Sequence, residues 1–202
     1  MVLVWFVNTI SHAFSRLGLR ILFAWGIWSG VAFAGQLPPS FSAGSSHISP
    51  WVHRDSGFSF PASVAGFVRG TPNQYDTAGQ DVSVGYDYFK PRIVATFYVY
   101  PTEGKTQGEE FLRRQREVTT MYPAAQLVST GTAKVTPKEL PAMIATYAIP
   151  KMFEQDNQPM RSLLLVGQRG DRFIEYRISF PVSGGEAATK AAQDFLAEFA
   201  WP

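Results

Sequence analysis

The sequence predicts an α+β fold, a sandwich of mostly antiparallel strands with one helix in mid-chain and one at the C-terminus. Three observations carry that prediction. Apolar alternation of period two dominates from Gly57 onward. Two stretches break it with helical spacing, and each is opened by a capping-box sequence, Thr106-Gln-Gly-Glu109 and Ser183-Gly-Gly-Glu186. The strands also come in runs joined by short turns rather than alternating one for one with helices.

The chain opens with Arg16 and Arg20 ahead of an uncharged apolar run, Ile21–Ala34, that ends Ala32-Phe33-Ala34 before Gly35. A positive flank, a short apolar core and small residues at −3 and −1 are the parts of a secretion signal. The run is shorter than the roughly 20 residues that span a bilayer as a helix. Residues 1–34 are therefore expected to be a signal peptide cleaved after Ala34, leaving a periplasmic or secreted protein. A retained anchor is the alternative, because Val2–Val7 adds a second apolar patch. Residues 35–50, dense in Pro, Gly and Ser, read as a flexible lead-in. A single domain is expected over 51–202.

Within that domain, Gly57–Phe60 alternates and stops at Pro61, with Phe67–Arg69 as its expected return partner across the turn at 62–66. Asp81–Tyr88 places Val82, Val84, Tyr86 and Tyr88 on one face. Arg92–Tyr100 is apolar on both faces, the mark of a central strand covered on both sides. The helix after Thr106 sets Phe111, Leu112, Val118 and Tyr122 along one side, with Gln115 as its polar member, and Pro123 ends it. Glu109–Arg113 and Glu110–Arg114 are i,i+4 pairs expected away from that side. Gln126–Val135, Ala142–Ile149, Ser162–Val166 and Phe173–Phe180 read as strands, the last two joined by a hairpin with a Gly-Asp turn. The final helix lines Ala188, Ala191, Ala192, Phe195, Leu196 and Phe199 on one stripe.

Composition narrows the chemistry. The formal net charge of +2 falls to neutral once Arg16 and Arg20 leave with the signal, which removes any charge-based case for nucleic acid binding. There is no cysteine, so disulfides, thiolate metal sites, cysteine nucleophiles and a lipid-modified cysteine are excluded. Stability must come from the core, and the high aromatic content suits a sheet-rich one.

The element order, together with Trp51-Val-His-Arg-Asp-Ser-Gly-Phe-Ser-Phe-Pro61 and with Arg172-Phe-Ile-Glu-Tyr-Arg-Ile-Ser-Phe180 before a last helix ending in an aromatic, resembles the PsbP-like fold family. That family includes the extrinsic photosystem II protein, a Ran-binding nuclear import factor and exported bacterial proteins of unknown role. The resemblance implies an α/β/α sandwich over roughly residues 51–202. It implies no activity, because the family shares no catalytic machinery.

The chemically capable residues each have a plain structural account. His47 and His53 with Asp55 are too few and too poorly fixed for zinc. His53 is the one candidate base for a hydrolase, and no Gly-x-Ser-x-Gly elbow accompanies it. Arg113, Arg114 and Arg116 form the densest positive cluster, either a docking patch for an acidic partner or the solvated face of a helix. The polar loop 151–159, with Glu154, Asp156 and Asn157, is a second candidate contact. Tyr86, Tyr88, Tyr98 and Tyr100 are candidates to line a groove for an apolar or lipid ligand, or else are core and cross-strand pairs.

The resulting expectation is a non-enzymatic binding or accessory domain of the cell envelope. It needs no cofactor, takes an envelope protein as partner and keeps no integral membrane span after cleavage. The alternatives are an envelope hydrolase and a ligand-binding module using the tyrosine groove.

Overall fold

The computed structural model describes residues 37–44, 48–135, 140–152 and 158–199. Residues 1–34, expected to be a signal peptide, and His47, Glu154, Asp156 and Asn157 lie outside the described residues.

Eight strands form one sheet in which every pairing is antiparallel. In spatial order they are β4 (Ser63–Val64), β5 (Phe67–Gln74), β6 (Val82–Phe89), β7 (Arg92–Pro101), β11 (Arg172–Pro181), β10 (Met160–Arg169), β9 (Leu140–Ile149) and β8 (Gln126–Val135). A small second sheet orders β1 (Phe41–Ala43), β2 (Trp51–His53) and β3 (Ser59–Phe60). The α+β class, with helices α1 (Gln107–Met121) and α2 (Gly185–Glu198), is as the sequence predicts.

Strand β7 is central, and its alternation explains the layers. Ile93, Ala95, Phe97 and Val99 point to one face and join the main core with Val82, Val84, Tyr86, Ile174, Tyr176 and Ile178. Helix α2 covers this face through Ala188, Ala191, Ala192 and Phe195, and Phe199 just past its end stacks on Phe97 at 4.7 Å. The opposite face carries Tyr98 and Tyr100 of β7 and Phe173 and Glu175 of β11, all buried. There α1 lies across β9 and β10. The sheet thus bears a helix on each face.

Several expectations about local elements are corrected. Phe67–Arg69 does not pair with Ser59–Phe60: β3 pairs with β2, and β5 pairs with β4 and β6. The chain passes from the small sheet to the large one at Pro61, and the left-handed Ala65-Gly66 turn closes the short β4–β5 hairpin instead of joining β3 to β5. The lead-in holds a strand, because Phe41 is buried against His53 and Phe60. The Thr106 capping box forms with both of its hydrogen bonds, whereas the Ser183 one does not. Ser183 sits in a 3-10 turn, Val182–Gly184, and gives its hydroxyl to Gln158, so α2 starts at Gly185 without a side-chain cap. In the β10–β11 hairpin Arg169 faces Arg172, which leaves the two-residue Gly170-Asp171 turn with Gly170 at φ 58°.

Candidate functional site

Two clusters of titratable side chains stand out among the described residues, and both are locked into the fold. The first lies beneath α1. Successive residues on a helix are turned by about 100°, so Glu110, Phe111, Arg114 and Val118 share one face, and all four are buried. This corrects the sequence reading of α1: Leu112 is 56% exposed, and Arg114, expected on a solvated face, is 2% exposed.

The Arg114 Nε lies 2.8 Å from Glu110 Oε1 and 2.9 Å from Glu175 Oε2, while its Nη1 lies 2.7 Å from Glu117 Oε2. The Tyr100 hydroxyl accepts from Arg114 and donates to Glu175, and the guanidinium also packs over the Tyr100 ring at 4.5 Å. Arg113, half-buried at the margin, reaches Glu110 at 2.6 Å and Glu117 at 2.8 Å. Glu109, its expected partner, is spent on the Thr106 cap.

The electrostatics follow from this packing. Burial pushes the Glu110 carboxyl up, but the Arg113 hydrogen bond, the Arg114 charge and the Tyr100 hydroxyl outweigh it and hold the group at about 2. Burial likewise works against the Arg114 charge, yet Glu175, Tyr100, Glu117 and Glu110 keep that guanidinium firmly protonated. Its Nη2 is buried without a hydrogen-bond partner. The cluster is a pinned ionic knot joining helix to sheet.

The second cluster surrounds His53, which is fully buried at the end of β2. Its Nε2 lies 2.6 Å from the Gly79 carbonyl oxygen, which can only accept, so Nε2 carries the proton. Its Nδ1, 2.7 Å from Ser56 Oγ, then accepts from the serine. Burial lowers the imidazole's affinity for a second proton, against the opposing pull of the Gly79 carbonyl and Asp55. Beside it, Asp55 pairs with Arg172, which also donates to the Gln80 carbonyl.

Ser56, His53 and the Gly79 carbonyl have the form of a nucleophile, a base and an orienter. An acyl-transfer site also needs free donors for the oxyanion. The nearby N–H groups are engaged: Gly57 donates to the His53 carbonyl and Phe58 to Ser56 Oγ. The arrangement clamps the small sheet to the loop Asp76–Asp81.

The four tyrosines do not surround one groove. Tyr86 faces α2 and meets Phe195 and Phe199 at 5.4 and 5.5 Å, and Tyr88, half-buried on the same side, meets Phe67. Tyr98 stacks with Tyr75, and Tyr100 joins the knot under α1, both on the opposite face. Even spacing along β6 and along β7 placed each pair on a common face, but neighbouring strands turned those pairs to opposite sides of the sheet. An open depression of about 800 Å³ lies elsewhere, between α2 and the ends of β10 and β11, lined by Arg161, Phe180, Val182, Glu186, Lys190 and Asp194.

Of the residues expected to contact a partner, Arg116 is exposed, Arg113 is half-buried and Arg114 is inaccessible. The sequence reading passed over Glu117, Glu175 and Ser56. Glu175 carried a signal: it is a lone acid within Phe173–Phe180, a strand otherwise apolar enough to be covered, and a covered acid calls for a buried cation. Ser56 had none, because its contact with Nδ1 depends on the turn conformation. No group of three or more His, Asp or Glu among the described residues is arranged to hold a metal ion. No described helix is long and apolar enough to cross a membrane.

No protein-family model matches the chain. None of the curated proteins matches it either. Among solved structures it is similar to the crystal structure of a protein of unknown function, PA94, from Pseudomonas aeruginosa. That alignment has a TM-score of 0.41 at 10% identity and covers 80% of this chain and 98% of that one. A likeness at this level carries no argument about what this chain binds or does.

Proposed function

We propose that this protein is an exported domain of PsbP-like sandwich architecture that acts in the cell envelope by binding a protein partner, in an accessory role. The observation that supports a binding role is where its reactive chemistry sits. Arg114, Glu110 and Glu175 are committed to holding α1 on the sheet, and His53 to holding the small sheet on the loop Asp76–Asp81. Polar groups engaged in this way stabilise a scaffold, and the work falls to its surface. Export is supported by the Arg16/Arg20 flank, the apolar run and the Ala32-Phe33-Ala34 ending.

Fractionation with N-terminal sequencing tests the location. A mature protein beginning at Gly35 outside the cytoplasmic membrane is the expected outcome, and an intact residue 1–34 segment in the membrane fraction refutes it. A second reading, an envelope hydrolase, is favoured by one observation, the 2.7 Å contact of Ser56 Oγ with His53 Nδ1. A hydrolase panel separates the two. Turnover lost in both Ser56→Ala and His53→Ala would establish the hydrolase, and no turnover is expected.

A further inference from the structure

The two edges of the eight-stranded sheet are built differently. One ends in the two-residue β4, and the part of β5 beyond it carries Pro72 and a register break between Arg69 and Pro72. Short strands, proline and irregular register are the devices that stop an edge from pairing with another chain. The opposite edge is β8, ten residues long, whose hydrogen-bonded neighbour among the described residues is β9 alone. It contains no proline, its one charged residue is Lys134, and its pairing with β9 is continuous from Ser129 to Val135 after a bulge near Leu127. Residues 126–132 are exposed, so neither face of this stretch is covered. Leu127 and Val128 stand 52% and 54% exposed at its start.

The geometry points to β8 as a site of β-strand addition, where an extended segment of a partner protein pairs as a further strand. This rests on the binding reading above and gives it a mode.

Size selects that occupant. Ten residues at about 3.3 Å each make an edge roughly 33 Å long, and a sheet is about 10 Å thick. The strip offers on the order of 350 Å² per partner, well below the roughly 800 Å² per side of a stable folded interface. A second folded copy meeting only this edge therefore gains too little area. An extended segment instead takes its affinity from main-chain hydrogen bonds along the whole strip.

Register gives the segment's pattern. Ser129, Gly131 and Ala133 line the α2 side, opposite Thr146, Ile144 and Ala142, a shelf of small side chains that leaves space for larger ones. Thr130, Thr132 and Lys134 line the α1 side. The fitting segment alternates large apolar with β-branched or polar residues and places an apolar residue near Leu127 and Val128.

A random decapeptide display library, selected against the full domain and followed by amide exchange, tests this. Enriched peptides should alternate with period two, bind Thr130→Lys/Thr132→Lys at least tenfold more weakly, and slow exchange at every second amide of β8. Thr130→Val/Thr132→Val should keep binding. No enrichment, equal binding to the lysine variant, or protection confined to α1 or to the α2 depression would overturn the proposal. A wild-type dimer with protected β8 amides would overturn it in favour of a second copy. The exchange measurement on wild type holds even if the lysine variant fails to fold. A failed library would leave the export and hydrolase tests untouched, so the two readings fall separately.

Discussion

Arg114 of α1 and Glu175 of β11 meet under the helix with Nε 2.9 Å from Oε2, both side chains almost wholly withdrawn from water. Charges buried at this depth are costly unless paired, and removing one partner strands the others. Arg114→Ala leaves Glu110 and Glu175 without their shared cation and is expected to destabilise the fold by about 3–5 kcal/mol. Arg116→Ala, on the exposed side of the same helix, should change stability by less than about 0.5 kcal/mol. Urea melts of the two variants beside wild type measure the difference, and equal losses would contradict the buried placement.

Acid should release the same contact. Glu110 is held at about 2 against the 4.5 of a free glutamate, so the unfolded chain takes up its proton at higher pH than the folded one. A depressed folded value contributes stability that is complete above about 4.5 and is lost as pH falls toward 2, worth about 3 kcal/mol in total. In Glu110→Gln that part of the stability–pH curve should flatten. An unchanged slope between pH 4.5 and 2 would count against the knot.

His53 acts in a separate, higher window. Burial lowers its folded value below the 6.5 of the free imidazole, so the unfolded state binds the proton first. Its contribution is complete above about pH 6.5 and declines as pH falls from there toward the folded value. NMR titration should show the folded imidazole taking up its second proton below the 6.5 of the free ring, with Nε2 protonated in the neutral form. His53→Gln should remove the pH dependence that sets in as pH falls below about 6.5 while leaving the Glu110 window intact.

The aromatic seal at the chain's end gives a fourth expectation. Phe199 is fully buried and meets Phe60, Tyr86, Phe97 and Tyr176. Phe199→Ala should cost about 3–5 kcal/mol. Thermal unfolding would read this as a large drop in Tm, whereas truncating the exposed Leu112 to Ala should be nearly neutral.

Much of the fold was legible because burial imposes simple periods. The two-sided apolar pattern of Arg92–Tyr100 identified the central strand, and Ala188 to Phe199 identified the packed helix. The Thr106 cap was legible because both of its bonds are local. Ser183 failed for a complementary reason: its hydroxyl had a distant competitor in Gln158. The candidate site was less legible. Polar residues on a helix read as solvent-facing, so a helix that buries Glu110 and Arg114 looks rotated until Glu175 appears beneath it. The four tyrosines could not be sorted by spacing, because which face each strand turns toward α1 is set by pairing between strands.

The composition of the aromatic cluster also constrains the order of events in the life of the chain. Phe60 comes from near the start of the domain, Phe97 and Tyr176 from the middle of the sheet, and Phe199 from just past the last helix. A polypeptide emerging N-terminus first, from a ribosome or through a translocation pore, cannot close this core until Phe199 has cleared the exit. Until then β7 and β11 lack the ring that packs on Phe97 and Tyr176. Closure of the core is thereby deferred until the last helix of the domain has emerged.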